Sequence, residues 1–339
     1  MYKCCTGCRT GIVAAMAYNR LMLTCINTFL KTPCFRCNLN NTTIRVAALA
    51  LALASLAPAP AIAANPGAAP DCARLSSAQT AAQLPAADAA LLAALPPLTS
   101  PQASRLLGAV GVDIAWWLRK QGNLNLSSVP TAFHEANHVI DVDLAACNQG
   151  KAVYVFGGAT YVTELVRGAT TPYVVAAAAV PPAFKTGNSA RYQTYMLRTP
   201  KVAANDFTTL LDELNAYVGA AEMEVALADS PLYGRFRAEG NAALDGNIGG
   251  TADLMLYVLS YLKTVRQSYP ASYAKIRNSP LLLAHLQRLW TASEAMLKAA
   301  GPLSSDKGGL YVYPIAALVA VDSPPFIGEL DRLGIRHAR

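Results

Sequence analysis

The sequence predicts a mostly helical α+β protein in which a short β region lies between two long helices. Three observations carry that prediction. Apolar residues recur at helical spacing on both sides of residues 153–180, whereas that interval is rich in β-branched and aromatic residues broken by glycine pairs. With 339 residues, 53% of them hydrophobic and only 14% charged, the chain has apolar material for a sizeable core. The excess is largely alanine, a residue that favours helix over strand.

Six of the formal +7 charges reside in residues 1–63, on Lys3, Arg9, Arg20, Lys31, Arg36 and Arg45, with no acid among them. The remainder carries +1, so it has no electrostatic footprint for a polyanion, and nucleic acid is not an expected partner. Arg45 precedes an apolar run over residues 46–56, followed by Pro58, Pro60 and the small-residue triplet Ala61-Ile62-Ala63. A run of that length falls short of the ~20 residues a membrane span needs. It reads as the core of a cleaved secretory signal, which makes the protein exported, periplasmic or secreted, without stable membrane insertion afterwards.

The stretch before Arg45 holds six cysteines, with two-residue gaps in Cys5-Thr-Gly-Cys8 and Cys34-Phe-Arg-Cys37. Such spacing can hold zinc, yet a metal site in a segment destined for removal serves no purpose. Residues 1–63 are therefore taken as an N-terminal extension and signal. The two remaining cysteines, Cys72 and Cys147, make one disulfide the simplest expectation in an oxidising compartment.

Residues 64–103, rich in alanine and proline, read as a tail with one short helical piece over residues 87–95; the globular domain spans 104–339. Leu106, Leu107, Val110, Ile114, Trp117 and Leu118 follow helical spacing. Residues 124–129 could form a short strand. Ser128 stands before Pro130 as an N-cap, predicting a helix over residues 130–146. Three strands are expected over residues 153–156, 161–166 and 173–180, divided by Gly157-Gly158 and by residues 168–172. Asp206 can cap a second long helix over residues 207–227. Helices over residues 251–268 and 280–299 follow, and residues 311–321 are either a strand or an apolar helical turn.

The chemistry lies in His134-Glu135-Ala136-Asn137-His138. On a helix, residues four apart are separated by about 400° of rotation, so the two imidazoles leave one face a turn apart and can share a metal ion. Glu135 sits about 100° round from His134, beside the metal rather than on it. There it can take a proton from a metal-bound water and pass it to a leaving amine. With four histidines and eight glutamates in the chain, this pattern arises by chance with a probability on the order of 10⁻³.

With these residues the sequence resembles the zincin metallopeptidases, over the motif helix and the second long helix. Asp141 and Leu144 stand where one large zincin class carries a glycine and a third histidine, so the resemblance is to the gluzincins, which take a glutamate from a later helix. It implies a zincin-like catalytic domain, a Zn²⁺ cofactor, peptide or protein substrates, and a third ligand among Glu213, Glu222 and Glu224. Glu213 matches best, because Ala216 stands where the gluzincin pattern has a small residue. Tyr217 replaces the acid usual there.

Asp141 is the expected partner for a ligand imidazole, with Asp143 exposed at the helix end. Tyr192, Tyr195 and Tyr217 are candidate oxyanion donors. His285 reads as a core or surface residue, and His337 as part of a disordered end. The sequence thus predicts a zinc peptidase. A non-catalytic exported zinc-binding protein on the same scaffold, or a zinc hydrolase of a cell-wall bond, would carry the same motif.

Overall fold

A computed structural model describes residues 128–169, 175–186, 189–197, 206–228, 246–306 and 320–338. The signal segment, the Ala/Pro-rich tail with Cys72, the expected helix over residues 106–118, residues 124–127 and most of residues 311–321 lie outside this set.

The described chain is mostly helical with one two-stranded antiparallel sheet. Helix α1 (Ser128–Cys147) carries the histidine motif and buries Phe133, Ala136, Ile140 and Leu144 along one face. It ends in a Schellman-type turn: Gly150 N–H donates to Ala145 O at 2.8 Å, and Gln149 sits in the left-handed region at φ 59°. That turn delivers the chain directly into β1 (Lys151–Phe156), which pairs with β2 (Ala159–Val166). The hairpin loop is Gly157-Gly158, with φ values of 57° and 81°. A two-residue loop with positive φ at both positions suits glycine, which adopts that region freely.

The third expected strand is not formed. Residues 173 and 174 lie outside the described set, and Ala176–Ala179 form a 3₁₀ turn. Four consecutive alanines carry no β-branched side chain to pack on a pleated surface, and they favour helical backbone. Short helices α2 (Pro182–Thr186) and α3 (Ser189–Tyr192) follow, and a π turn, Gln193–Leu197, continues from α3.

Helix α4 (Phe207–Ala228) starts as predicted: Asp206 Oδ1 accepts from Thr209 N–H at 3.1 Å. Phe207, Leu210, Leu211, Leu214, Val218 and Ala221 are all buried, as expected of a helix surrounded by others. It packs against α1, β1, α5 (Gly246–Ser268) and α7 (Pro280–Asp306). Like α2 and α3, two further short helices were not predicted. Helix α6 (Pro270–Arg277) joins α5 to α7, and α8 (Pro324–Leu333) is clamped to α5 by the two-pronged Arg266–Glu329 ion pair. Helix α4 is thus the axis on which α1 and the hairpin rest. No helix of the described residues is long and apolar enough to cross a membrane.

Candidate metal centre

His134 and His138 leave α1 one turn apart, towards α4. Their Nε2 atoms lie 3.2 Å from each other. Glu213 comes from α4 to meet them: its Oε2 is 3.3 Å from His138 Nε2 and 3.7 Å from His134 Nε2. Three donor atoms from two helices therefore converge on one point. All three residues are buried, and together they form a group that can hold a metal ion.

The other two glutamates weighed from sequence are elsewhere. Glu224 binds the start of α5, accepting from the side chain and backbone N–H of Asn247 at 2.5 and 3.3 Å. Glu222, nine residues beyond Glu213 and so on the opposite side of α4, is not part of the cluster; burial pushes its carboxyl up to about 7.

The imidazole partner also differs from the sequence expectation. Asp212, not Asp141, takes the Nδ1 hydrogen bond of His138, at 3.0 Å. The same Asp212 oxygen accepts from Arg167 Nη2 at 2.6 Å. Asp141 instead faces β1: its Oδ1 accepts from Val155 N–H at 2.7 Å, and its Oδ2 from Asn137 and Asn215 at 3.1 and 3.2 Å. Asn215 also donates to Val155 O at 3.0 Å. Asp141 and Asn215 thus satisfy both backbone polar groups of Val155, the need any strand edge imposes when it is buried between helices. Asp143 is exposed, as expected.

Burial and charge set the protonation states. Burial, with His138 next to it, pushes His134 down to about 3 against the pull of Glu213 and Asp212. Burial also acts downward on His138, but Asp212 and Glu213 outweigh it and hold its pKa well above the usual 6.5. Glu213 lies below its ordinary range: burial raises it, and the two histidines more than offset that. Asp212 is lowered as well, because Arg167 and His138 overcome burial. Burial lifts Glu135 to about 7, with His138 pulling the other way. Asp141, buried beside Asp212, is raised well above the carboxylate range.

Among the tyrosines, Tyr217 lies at the cluster, its ring edge-on to His134 with centroids 4.6 Å apart. Its hydroxyl is 3.0 Å from that of Tyr195, and burial raises its pKa. Tyr192 is turned away and donates to Ala177 O at 3.2 Å. Gly250 of α5 makes room for Tyr217: a Cβ there would sit 2.1 Å from the ring.

His285 is fully buried, the core alternative of the two places that the sequence left open. His337 is ordered rather than loose, with Nε2 3.0 Å from Asp331 Oδ1. Cys147 is partly exposed and forms no disulfide among the described residues; its expected partner Cys72 lies outside them.

Sequence reasoning missed Asp212 and Arg167. Asp212 is adjacent to Glu213 in sequence, but no local pattern marks it as the partner of His138. Arg167 follows the second predicted strand, and nothing local links it to a residue 45 positions away. No family model matches the chain, and neither a curated protein nor a solved structure matches it.

Proposed function

We propose that the chain is an exported zinc-dependent metallopeptidase of the gluzincin type, acting on peptide or protein substrates. The observation that carries this reading is the triangle of His134 Nε2, His138 Nε2 and Glu213 Oε2, with sides of 3.2, 3.3 and 3.7 Å. A tetrahedral ion with bonds of about 2.05 Å has ligand–ligand edges of about 3.3 Å, so the donor set fits zinc in size as well as in type. Two imidazoles and one carboxylate are also a donor set that leaves a fourth position open. When bound, zinc supplies Lewis acidity and lowers the pKa of water towards ~7.

The chain's own residues do the rest. Glu135, next in sequence to a ligand yet outside the donor triangle, is the general base. It takes a proton from the attacking water and returns it to the leaving amine. Burial raises its carboxyl to about 7 in the metal-free protein, towards the range in which one group can both take and return a proton near neutral pH. Asp212 fixes the His138 ring by accepting from Nδ1, leaving Nε2 for the metal. The Tyr217 ring packs edge-on against His134, and its hydroxyl, paired with that of Tyr195, is the candidate donor to negative charge developing on the substrate oxygen. Export rests on the Arg45 to Ala63 segment of the sequence.

One observation favours a second reading, a non-catalytic metal site. His134, Glu135, His138 and Glu213 are only 3–5% exposed. The two readings part on turnover. The purified protein should bind zinc one to one and cleave an unfolded casein-type substrate. Glu135→Gln should keep the metal and lose cleavage. Full zinc with no cleavage by the wild type, across a broad peptide library, would make the site structural.

A further inference from the structure

We propose that Arg167 is a positioning residue for the metal centre, acting through Asp212 on His138. The inference deepens the metal-centre reading and rests on it.

Asp212 Oδ2 receives two donors, Arg167 Nη2 at 2.6 Å and His138 Nδ1 at 3.0 Å. Asp212 is fully buried and Arg167 partly so, with its side chain 18% exposed. Two donors converging on one oxygen fix where that oxygen sits, and a carboxylate can only accept. His138 must therefore present N–H at Nδ1, which leaves its Nε2 to face His134 and Glu213. An arginine suits this task because its planar fork directs the bond, where an ammonium supplies charge without direction.

Arg167 belongs to neither ligand-bearing helix. It lies in the turn leaving β2, held to both of them by backbone groups. Its own N–H donates to Gly150 O, just past α1, at 2.8 Å. Gly168 N–H donates to Thr208 Oγ1 in the first turn of α4 at 3.2 Å, and Thr208 in turn bonds Asp206 Oδ1 at 2.7 Å. The β hairpin thus acts as an arm that carries a cation to the outer side of a ligand imidazole. The hairpin so acquires a role at the site although it contributes no ligand.

The test measures zinc affinity of the full chain by competition with a chromophoric chelator, alongside ¹⁵N-histidine spectra of the zinc-loaded protein. Arg167→Ala should weaken zinc binding about 10- to 100-fold, the usual effect of losing such an outer partner. It should also shift or broaden the hydrogen-bonded Nδ1–H signal of His138. Arg167→Gln is predicted to do the same and serves if the alanine variant fails to fold. Arg167→Lys should recover part of the affinity.

Thr208→Val cuts the other tie of the same turn without touching Asp212, and should leave both readouts in place. Wild-type affinity and an unchanged His138 signal in Arg167→Ala or Arg167→Gln would overturn the proposal. An equal loss in Thr208→Val would also overturn it, assigning the effect to hairpin anchoring. Wild-type protein that takes up no zinc would remove the metal-centre reading itself, a failure visible before any variant is made.

Discussion

The protein buries histidine in two environments that look alike by exposure and differ in the groups that surround the rings. At the α1–α4 interface, His134 and His138 meet Glu213, and His138 also meets Asp212. Some distance along the sequence, His285 of α7 lies fully buried with its ring stacked on Tyr154, centroids 4.3 Å apart, and with Phe156 and Tyr161 around it. Neither ring nitrogen of His285 has a hydrogen-bond partner among the described residues. Burial, with Arg288 adding to it, drives its pKa down to about 3, so it is a neutral aromatic filler near pH 7. Burial is therefore common to both sites. What distinguishes the candidate centre is acid converging on the imidazoles from a second helix.

The largest expected effect follows from that contrast. His134→Ala, His138→Ala or Glu213→Ala should each reduce zinc affinity by more than the ~100-fold upper range for loss of an outer partner, whereas His285→Phe should leave it unchanged. Metal content by mass spectrometry after dialysis checks this. Zinc retained by the ligand variants, or lost from His285→Phe, would erase the distinction. Next in size, Glu135→Gln should lower hydrolysis by about 10²- to 10⁴-fold, the usual worth of a general base, with zinc still bound.

Glu135 of the candidate centre and His285 have pH dependences of opposite sign. Glu135, raised from 4.5 to about 7, favours its protonated form when folded. Its stabilising contribution to the metal-free protein is present below pH 4.5 and fades as pH rises through about 7. Glu135→Gln should therefore gain on the wild type with rising pH, by up to roughly 3 kcal/mol at about 1.4 kcal/mol per pKa unit. His285 is shifted the opposite way, from 6.5 to about 3, so its contribution is present above 6.5 and lost as pH falls. His285→Phe should gain on the wild type on acidification. Urea titrations of the metal-free proteins at pH 4, 6 and 8 would reveal both slopes.

A smaller effect is expected at Gly250. Gly250→Ala would press a methyl group into the Tyr217 ring, 2.1 Å from its nearest atom. Overpacking of this kind costs about 1–3 kcal/mol, and here the strain passes to a ring already in contact with His134. Thermal unfolding measures the cost. A variant as stable as the wild type would mean the Tyr217 ring moves freely. The smallest effect is the stability change in His285→Phe near pH 7. It should be neutral or slightly stabilising, because it replaces two unpartnered ring nitrogens with carbon.

Much of this arrangement was legible in the sequence for reasons that remain visible in the structure. The helix over residues 130–146 and the one over residues 207–227 were marked by apolar spacing and by Asp206, and they appear as Ser128–Cys147 and Phe207–Ala228. The hairpin was marked by Gly157-Gly158. The preference for Glu213 over Glu222 and Glu224 rested on the gluzincin resemblance through the small Ala216, which is buried.

The misses have separate physical causes. Valines at both ends of residues 174–180 suggested a strand, but the four alanines between them hold the chain in a 3₁₀ turn. Helix α8 had its signals in plain view, Pro324 at its start and Gly334 in the left-handed region after it, but it is only 10 residues long and falls outside any long periodic window. The Asp212 and Arg167 partnership depends on the hairpin folding back onto α4, and no local pattern encodes that.

The most direct test of the central claim is X-ray absorption at the zinc edge of the purified, zinc-loaded protein, read beside the His138→Ala and Glu213→Ala variants. The account predicts one zinc per chain, two imidazole ligands and light-atom distances near ~2.0–2.1 Å, with the imidazole signal halved in His138→Ala and only the carboxylate component altered in Glu213→Ala. Zinc that shows no imidazole scattering, or a spectrum identical in all three proteins, would contradict it.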